Sequence, residues 1–437
     1  MIVTRTSSAR PSSIPINALL WMLGASAAAW ADAPPLVLEH LTTAEGLPQA
    51  TVMTALQDSQ GFVWLGTEDG LVRYDGHELY RYAHSRTESG SLPGNYVWQV
   101  VEDAHADLWI ATNDAGVAKW TRRSDSFTSY RHDPNDVSSL ASDRVRTVLI
   151  DARGHVWIGT FDAGVDVLDP SSGRIEHLRH DANDPASLGS DHVSTLALDR
   201  AGDVWIGTDG GLNRWRADTR TLVRVGPAAG DAHSLSDEKI TAVLEDQSGA
   251  LWVGSFNAGL LRMDRDGRVL ETFRHDPHSP ASLGNDNVRA LLEDRAGHLW
   301  VGTPDGLELL DRSTRAFGHY RHDANDSASL RDSFVMSLYQ DRDGLLWVGT
   351  RTGGVSRWNP RSWELGGHRP AWLENQSVTA FADASDNNVW IASVAAGLVR
   401  FDAATGIATP LSKLVGRENP VGDGPVTSLK QDRRGAL

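Results

Sequence analysis

The segment Asp151-Ala-Arg-Gly-His-Val-Trp157-Ile-Gly-Thr160 decides the fold, because the chain repeats it. It returns as Asp199-Arg-Ala-Gly-Asp-Val-Trp205-Ile-Gly-Thr208 and as Asp294-Arg-Ala-Gly-His-Leu-Trp300-Val-Gly-Thr303. The repeat tryptophans are Trp64, Trp109, Trp157, Trp205, Trp252, Trp300, Trp347 and Trp390, spaced 45, 48, 48, 47, 48, 47 and 43 residues apart. Self-similarity at a period of about 40–50 residues is the signature of a propeller or solenoid. In the third copy four short apolar runs stand out: Val145–Ile150, Val156–Thr160, Val165–Leu168 and Ile175–Leu178. Asp-Ala-Arg-Gly, Phe-Asp-Ala-Gly and Pro-Ser-Ser-Gly turns separate them, each with Gly where a positive φ is expected. Four antiparallel strands per period make a propeller blade, whereas β-solenoid repeats are shorter and helical repeats lack this density of Gly turns.

The expected fold is therefore all-β, a β-propeller of four-stranded antiparallel blades. Along the second strand Trp157 and Gly159 face one way, and Val156, Ile158 and Thr160 the other. Both faces are apolar, as befits a strand sandwiched between blades. The glycine is expected to leave room for the indole. All eight repeat tryptophans are assigned to the blade core, since a base- or sugar-stacking site would break the repeat rather than obey it. They are half of the 16 tryptophans in 437 residues, so the Trp excess is one blade position counted eight times.

Seven copies are regular. The eighth, at Trp390, has Asn387 for the turn glycine and Ala392-Ser393 for Gly-Thr, after an irregular stretch, Arg361 to Pro370. A ninth begins at Val426 and is cut at Leu437, so the sequence reads as a fragment. Ahead of the first copy, Leu36-Val-Leu-Glu-His-Leu41 resembles an outermost strand that would pair into blade seven and close the ring. The expected organisation is a signal peptide over 1–31, a seven-bladed propeller over 32–365 and the first blades of a second propeller over 366–437. A single ring of eight or more blades is the alternative. Arg5 and Arg10 precede an apolar stretch, Ala18 to Ala31, that ends in Ala29-Trp30-Ala31. It is shorter than the about 20 residues needed to span a bilayer and reads as a cleaved secretory signal, with an uncleaved anchor as the alternative.

Composition excludes several classes. Forty-one Lys and Arg against 57 Asp and Glu give a net charge of −16, which disfavours a nucleic-acid partner. With no cysteine there is no disulfide, zinc thiolate or thiol nucleophile. Arg-His-Asp recurs at Arg131–Asp133, Arg179–Asp181, Arg274–Asp276 and Arg321–Asp323, one copy per blade, which suits linker capping better than a metal site. Asp341-Arg-Asp-Gly344 lacks the further ligands of a calcium loop, and no Gly-x-Ser-x-Gly elbow occurs. No catalytic residue, metal or cofactor is assigned.

The Asp-x-x-Gly-x-Leu/Val-Trp-Ile/Val-Gly-Thr pattern, as in Asp341 to Thr350, resembles the two-component regulator propeller repeat, and Leu41-Thr-Thr-Ala-Glu-Gly-Leu-Pro48 resembles the entry to that family's first blade. The resemblance implies the periplasmic, ligand-sensing region of an inner-membrane receptor. A missing C-terminal helix would cross the membrane, and the output would be a histidine kinase, often hybrid, in a phosphorelay. It also implies a homodimer formed through the full-length receptor; the small ligand is unidentified, and a mixed aromatic and Arg rim suits a sugar (an oligosaccharide), a peptide or an anion. A diguanylate cyclase output is the first alternative. An exported propeller enzyme, a glycosidase or quinone-dependent dehydrogenase, is the second, because the Asp-x-x-Gly-x-x-Trp turn is similar to structural boxes in those proteins.

Positions that vary between copies separate ligand contacts from blade construction. After the recurrent Val or Ile of the first, innermost strand come Met53, Trp98, Arg146, Ser194, Thr241, Arg289 and Met336. The turn between strands two and three is long in the copies that begin it with Phe161, Phe256 and Arg351. Trp98, Arg146, Arg289, Phe161, Phe256 and Arg351 are therefore the candidate ligand-binding residues, on one rim.

Overall fold

The computed structural model describes residues 36–225, 235, 238–360, 362, 377–384, 388–394, 397–402, 407–415 and 425–430. The expected signal peptide and most of the irregular stretch lie outside these residues. The chain divides into two units, one built on Leu38–Trp358 and one on Asn359–Leu437 with Pro34–Val37.

The first unit holds seven four-stranded antiparallel sheets, each spanning one repeat. The third has strands at Val145–Ile150, Val156–Thr160, Val165–Leu168 and Ile175–Leu178, the boundaries expected from sequence. The first strand of each sheet packs against that of the next, and the seventh returns to the first, so the sheets form a closed cycle of blades. Closure is covalently out of order: Glu39–Leu41 pairs antiparallel with Val355–Trp358 as the outermost strand of blade seven. There His40 Nδ1 lies 2.9 Å from Ser356 Oγ, and Arg357 meets Glu39 at 2.6 Å. On the inner side Gly354 N donates to Ala50 O at 2.8 Å, and Thr51 Oγ1 to Arg351 O at 2.7 Å.

All five residues of every second strand in this unit are buried, which is why the strand reads apolar on both faces. The seven tryptophans from Trp64 to Trp347 are at most 3% exposed. Their indole N–H donates to the aspartate six residues earlier, Asp58, Asp103, Asp151, Asp199, Asp246, Asp294 and Asp341, at 2.8–3.1 Å. The same carboxylate takes backbone N–H groups of its own turn. Asp246 Oδ1, for example, accepts from Ser248 N and Ala250 N. Thus one Asp ties the hairpin turn to the core, and a buried charge is kept only because several donors satisfy it.

The glycine of Trp-x-Gly has a different role from the one expected. A Cβ on Gly159 would lie 2.7 Å from Val193 Cγ1, the inner-strand valine of the next blade, and 2.5 Å from Thr147 Cγ2 of its own. The missing side chain therefore admits the neighbouring blade, not the indole. Gly66 with Val97 and Gly254 with Val288 repeat the contact.

Burial raises the Asp246 carboxyl, but hydrogen bonds from Ser248, Trp252 and Ala250 and the charge of Arg312 outweigh it and hold it below the ordinary range. Asp103, Asp151 and Asp294 are lowered in the same way. Depressed carboxyls stabilise the fold above their unfolded value of about 3.9, and that contribution is lost as pH falls through the folded values below it. Thermal melts should therefore change little from about pH 5 to 7 on account of these groups, then fall steeply below about pH 4. An Asp246→Asn, Asp294→Asn variant should lose part of that acid dependence; an unchanged slope would show that these turns are not its source.

In the second unit one four-stranded sheet runs through Val378–Asp383, Asn388–Ser393, Gly397–Asp402 and Ala408–Pro410. A short helix, Leu411–Val415, follows. Trp390 is partly buried, and the residue six before it is Ala384 where the other copies have aspartate. Val426 N donates to Ser393 O at 3.2 Å, as Val288 N does to Ser255 O at 2.9 Å between blades five and six, so the ninth copy begins with blade-to-blade geometry.

Candidate functional site

The inner-strand Val or Ile, at Val52, Val97, Val145, Val193, Ile240, Val288 and Val335, is fully buried between blades. In six blades the next residue is a β-bulge, since pairing skips it, as between Val145 and Thr147. A bulge twists the strand and re-aims one side chain. Here it brings the Trp98 and Arg146 side chains of neighbouring blades together, whereas Thr241 Oγ1 donates to Val288 O of the next blade.

Three of the expected residues come together. The Arg146 guanidinium lies 3.6 Å from the centroid of the Trp98 ring and 5.6 Å from that of Phe161, and the two rings are 5.7 Å apart. Trp98 Nε1 donates to Asn113 Oδ1 at 3.2 Å, which fixes the indole. Arg289 and Arg351 share a second ring, Phe334, at 5.8 and 5.2 Å. Phe256 stands apart from both groups, 39% exposed on its turn. Its blade carries Thr241 at the bulge and Lys239 before it, so no aromatic neighbour draws the ring inward.

The groups also feel one another electrostatically. Burial and then the charge of Arg289 push the Arg146 guanidinium down to about 10, against the opposing pull of Tyr96. Burial and the charge of Arg351 lower Arg289 likewise. The Tyr96 phenol is pushed up to about 12 by burial and by Glu68, which accepts its hydrogen bond at 3.3 Å. His192, 5.4 Å from Phe161, is lowered by burial first, partly offset by Asp209. Two nearby cations are paired, Arg144 with Asp162 at 3.1 Å and Lys239 with Asp209 at 3.0 Å. Arg146, Arg289 and Arg351 have no carboxylate within 4.0 Å among the described residues.

Sequence reasoning missed Tyr96, His192 and Phe334. Each immediately precedes the buried Val, two residues before the bulge position, and so shares its side of the strand. Reading that column beside the other would have found them.

At the opposite end, where the Asp-x-x-Gly turns lie, blades three and four leave a cleft of about 370 Å³ beside Asp151, His155 and Trp215. Its cause is local. Arg122 and Arg312 reach Asp58 and Asp246 of the preceding blade at 2.7 and 3.1 Å, but blade four has Ala217 in that position. Among the described residues no three His, Asp or Glu side chains converge as metal ligands, and the Arg-His-Asp segments are linker caps: His132, His180, His275 and His322 each place Nδ1 2.6–2.9 Å from the carbonyl oxygen eight residues on.

Residues 46–69, 139–162, 187–210, 234–257, 282–305 and 329–352 match the family described as two component regulator propeller. Among solved structures, the extracellular domain of a hybrid two-component system from B. thetaiotaomicron superposes with a TM-score of 0.63 at 22% identity, covering 92% of this chain and 51% of that one. A second such domain from the same organism gives 0.61 at 19% identity, with coverage of 92% and 51%. Virginiamycin B lyase from Staphylococcus aureus gives 0.55 at 12% identity, over 74% of this chain and 99% of the lyase, a likeness of fold. A curated relative, histidine kinase P4 of Formosa agariphila, is 38% identical over 56 residues, 13% of this chain and 4% of that protein. The chain thus spans about half the length of the two extracellular domains and a small part of the kinase. No helix among the described residues is long and apolar enough to cross a membrane.

Proposed function

Because the chain carries two-component regulator propeller repeats, we propose that it is the periplasmic, ligand-sensing region of a transmembrane receptor whose output is a histidine kinase, of hybrid type, in a phosphorelay. The observation that carries this reading is the division of labour within the repeat. The residues common to every blade are used up in packing, whereas the residues that differ, Trp98, Arg146, Arg289 and Arg351, gather at one mouth of the channel. A closed ring with one individualised mouth is built to bind and to hold its geometry. The relatives that are extracellular domains of hybrid two-component systems, and the kinase match, favour that output over a diguanylate cyclase. The apolar stretch Ala18 to Ala31 behind Arg5 and Arg10 would export the region. The second unit, with its blade-like sheet, would begin a second ring, and receptor dimerisation would carry the signal across the membrane.

Alkaline phosphatase fused after Leu437 should be active in a Gram-negative host and inactive when residues 1–31 are deleted. An inactive fusion to the intact chain would exclude a periplasmic region. The coding sequence past Leu437 separates receptor from exported enzyme: a membrane-spanning helix and a kinase are expected, and a stop after the second ring would leave the enzyme.

A further inference from the structure

Arg146 and Arg289, both partly buried, and the exposed Arg351 lie at the channel mouth with no carboxylate within 4.0 Å among the described residues. Blades three and six face each other across a cycle of seven, so Arg146 and Arg289 approach from opposite sides of the channel, with Arg351 beside Arg289. We propose that this mouth binds a compact carboxylate whose charged group is held by Arg146 and Arg289 and whose apolar face lies on Trp98 and Phe161. The inference rests on the ligand-sensing reading above and names the chemistry of its ligand.

The argument starts from charge. Several partly buried cations elsewhere in this protein are paired, Arg122 with Asp58 at 2.7 Å, Arg214 with Asp203 at 2.6 Å and Arg312 with Glu293 at 2.7 Å, whereas Arg73 rests on Phe62 and Tyr80 and Arg224 donates to carbonyl oxygens. Arg146 is enclosed enough that burial depresses its basicity, and the charge of Arg289 depresses it further, yet neither has a carboxylate partner. Only π faces hold them, Trp98 for Arg146 and Phe334 for Arg289 and Arg351. The nearby acid, Glu68, is engaged by Gln49 Nε2 at 3.0 Å and by Tyr96. Like charges gathered without compensation weaken the empty fold, and such local violations mark functional sites. A guanidinium stacked on a ring keeps its N–H fork free in the ring-parallel plane, the geometry a carboxylate accepts two bonds from. The rings give such a ligand its second surface, so a charged group on a flat apolar body fits better than a bare ion.

The test uses the full chain, with D-glucuronate and benzoate as probes and D-glucose and benzyl alcohol as their uncharged counterparts. Binding is read by calorimetry and by tryptophan fluorescence, to which Trp98 under Arg146 reports. At least one carboxylate should bind about tenfold or more tightly than its counterpart, the worth of one charge-assisted bond. The Arg146→Gln, Arg289→Gln double variant should erase that preference and, with no anion present, melt higher than the wild type. Binding of glucuronate alone assigns a sugar acid, of benzoate alone an aromatic acid, and of both the shared carboxylate. The proposal is overturned if neither carboxylate gives a saturable response, if the counterparts bind equally well, if the double variant keeps the preference, or if it melts lower without anion. An active phosphatase fusion with no carboxylate binding sinks this site and leaves the receptor reading standing; binding with an inactive fusion does the reverse.

Discussion

Trp205→Ala is expected to lower the unfolding free energy by about 3–5 kcal/mol, the usual result of emptying a fully packed aromatic site. Trp205 is 1% exposed and packs with Ile240, Leu251, Val253 and Leu261 of the next blade, so the cavity would open at the joint between blades four and five. Two further losses follow from its partners. Asp199 Oδ2, which accepts the indole N–H at 3.1 Å, would lose that donor. The Arg214 guanidinium, 5.0 Å from the ring centroid, would lose its π face. Trp205→Phe separates the terms: it keeps most of the volume, loses the N–H, and should cost about 1–3 kcal/mol. Urea unfolding followed by circular dichroism gives both values. An alanine variant within about 1 kcal/mol of the wild type would show that the indole is not the inter-blade wedge. Trp98→Ala is the matched control, since that ring lines the channel and should affect binding far more than unfolding.

The contrast between Trp205 and Trp98 shows what the sequence made legible. Trp205 belongs to a column that repeats with its Asp, Gly and Thr neighbours, and repetition exposes any residue whose environment is the same in every blade. Hence the four strands of the third repeat were readable to the residue, and the closing strand was found within the expected Leu36–Leu41 as the shorter Glu39–Leu41. The role of Gly159 was misread because the group it admits, Val193, sits 34 residues away and reaches it only through blade-to-blade packing, which spacing within one strand cannot show. The rim was half legible. Variable positions marked Trp98, Arg146 and Arg289, but which of them meet depends on the closed ring. Phe256 and Phe161 occupy equivalent turns and differ in their neighbours, Thr241 against Arg146 and Trp98. Tyr96 and Phe334 lie two residues before the bulge position, in a second variable column that the alternation of the strand puts on the same side.

A chain that begins at residue 43 lacks the strand Glu39–Leu41 and is expected to lose on the order of 5 kcal/mol and to self-associate. The estimate combines the ladder and side-chain hydrogen bonds to Val355–Trp358, at about 1 kcal/mol each, with burial of Leu38 and packing of Leu41, at about 1.5–3 kcal/mol each. Association follows from the edge. Removing the strand bares the N–H and C=O groups of Val355–Trp358, a four-residue template that any extended segment can pair with. Melting and light scattering on the truncated and intact chains would test both parts, and an unchanged melting point with a monomeric mass would show that the inner contacts, Gly354 N to Ala50 O and Thr51 Oγ1 to Arg351 O, close the ring unaided. The same variant bears on the channel mouth. Arg351 and Phe334 belong to the blade that this strand completes, and Tyr96 and Trp98 stand two blades on, across the seam. If closure holds those groups in place, carboxylate binding should weaken in the truncated chain under conditions where its circular dichroism is still native, and restoring the strand as a separate peptide should recover it.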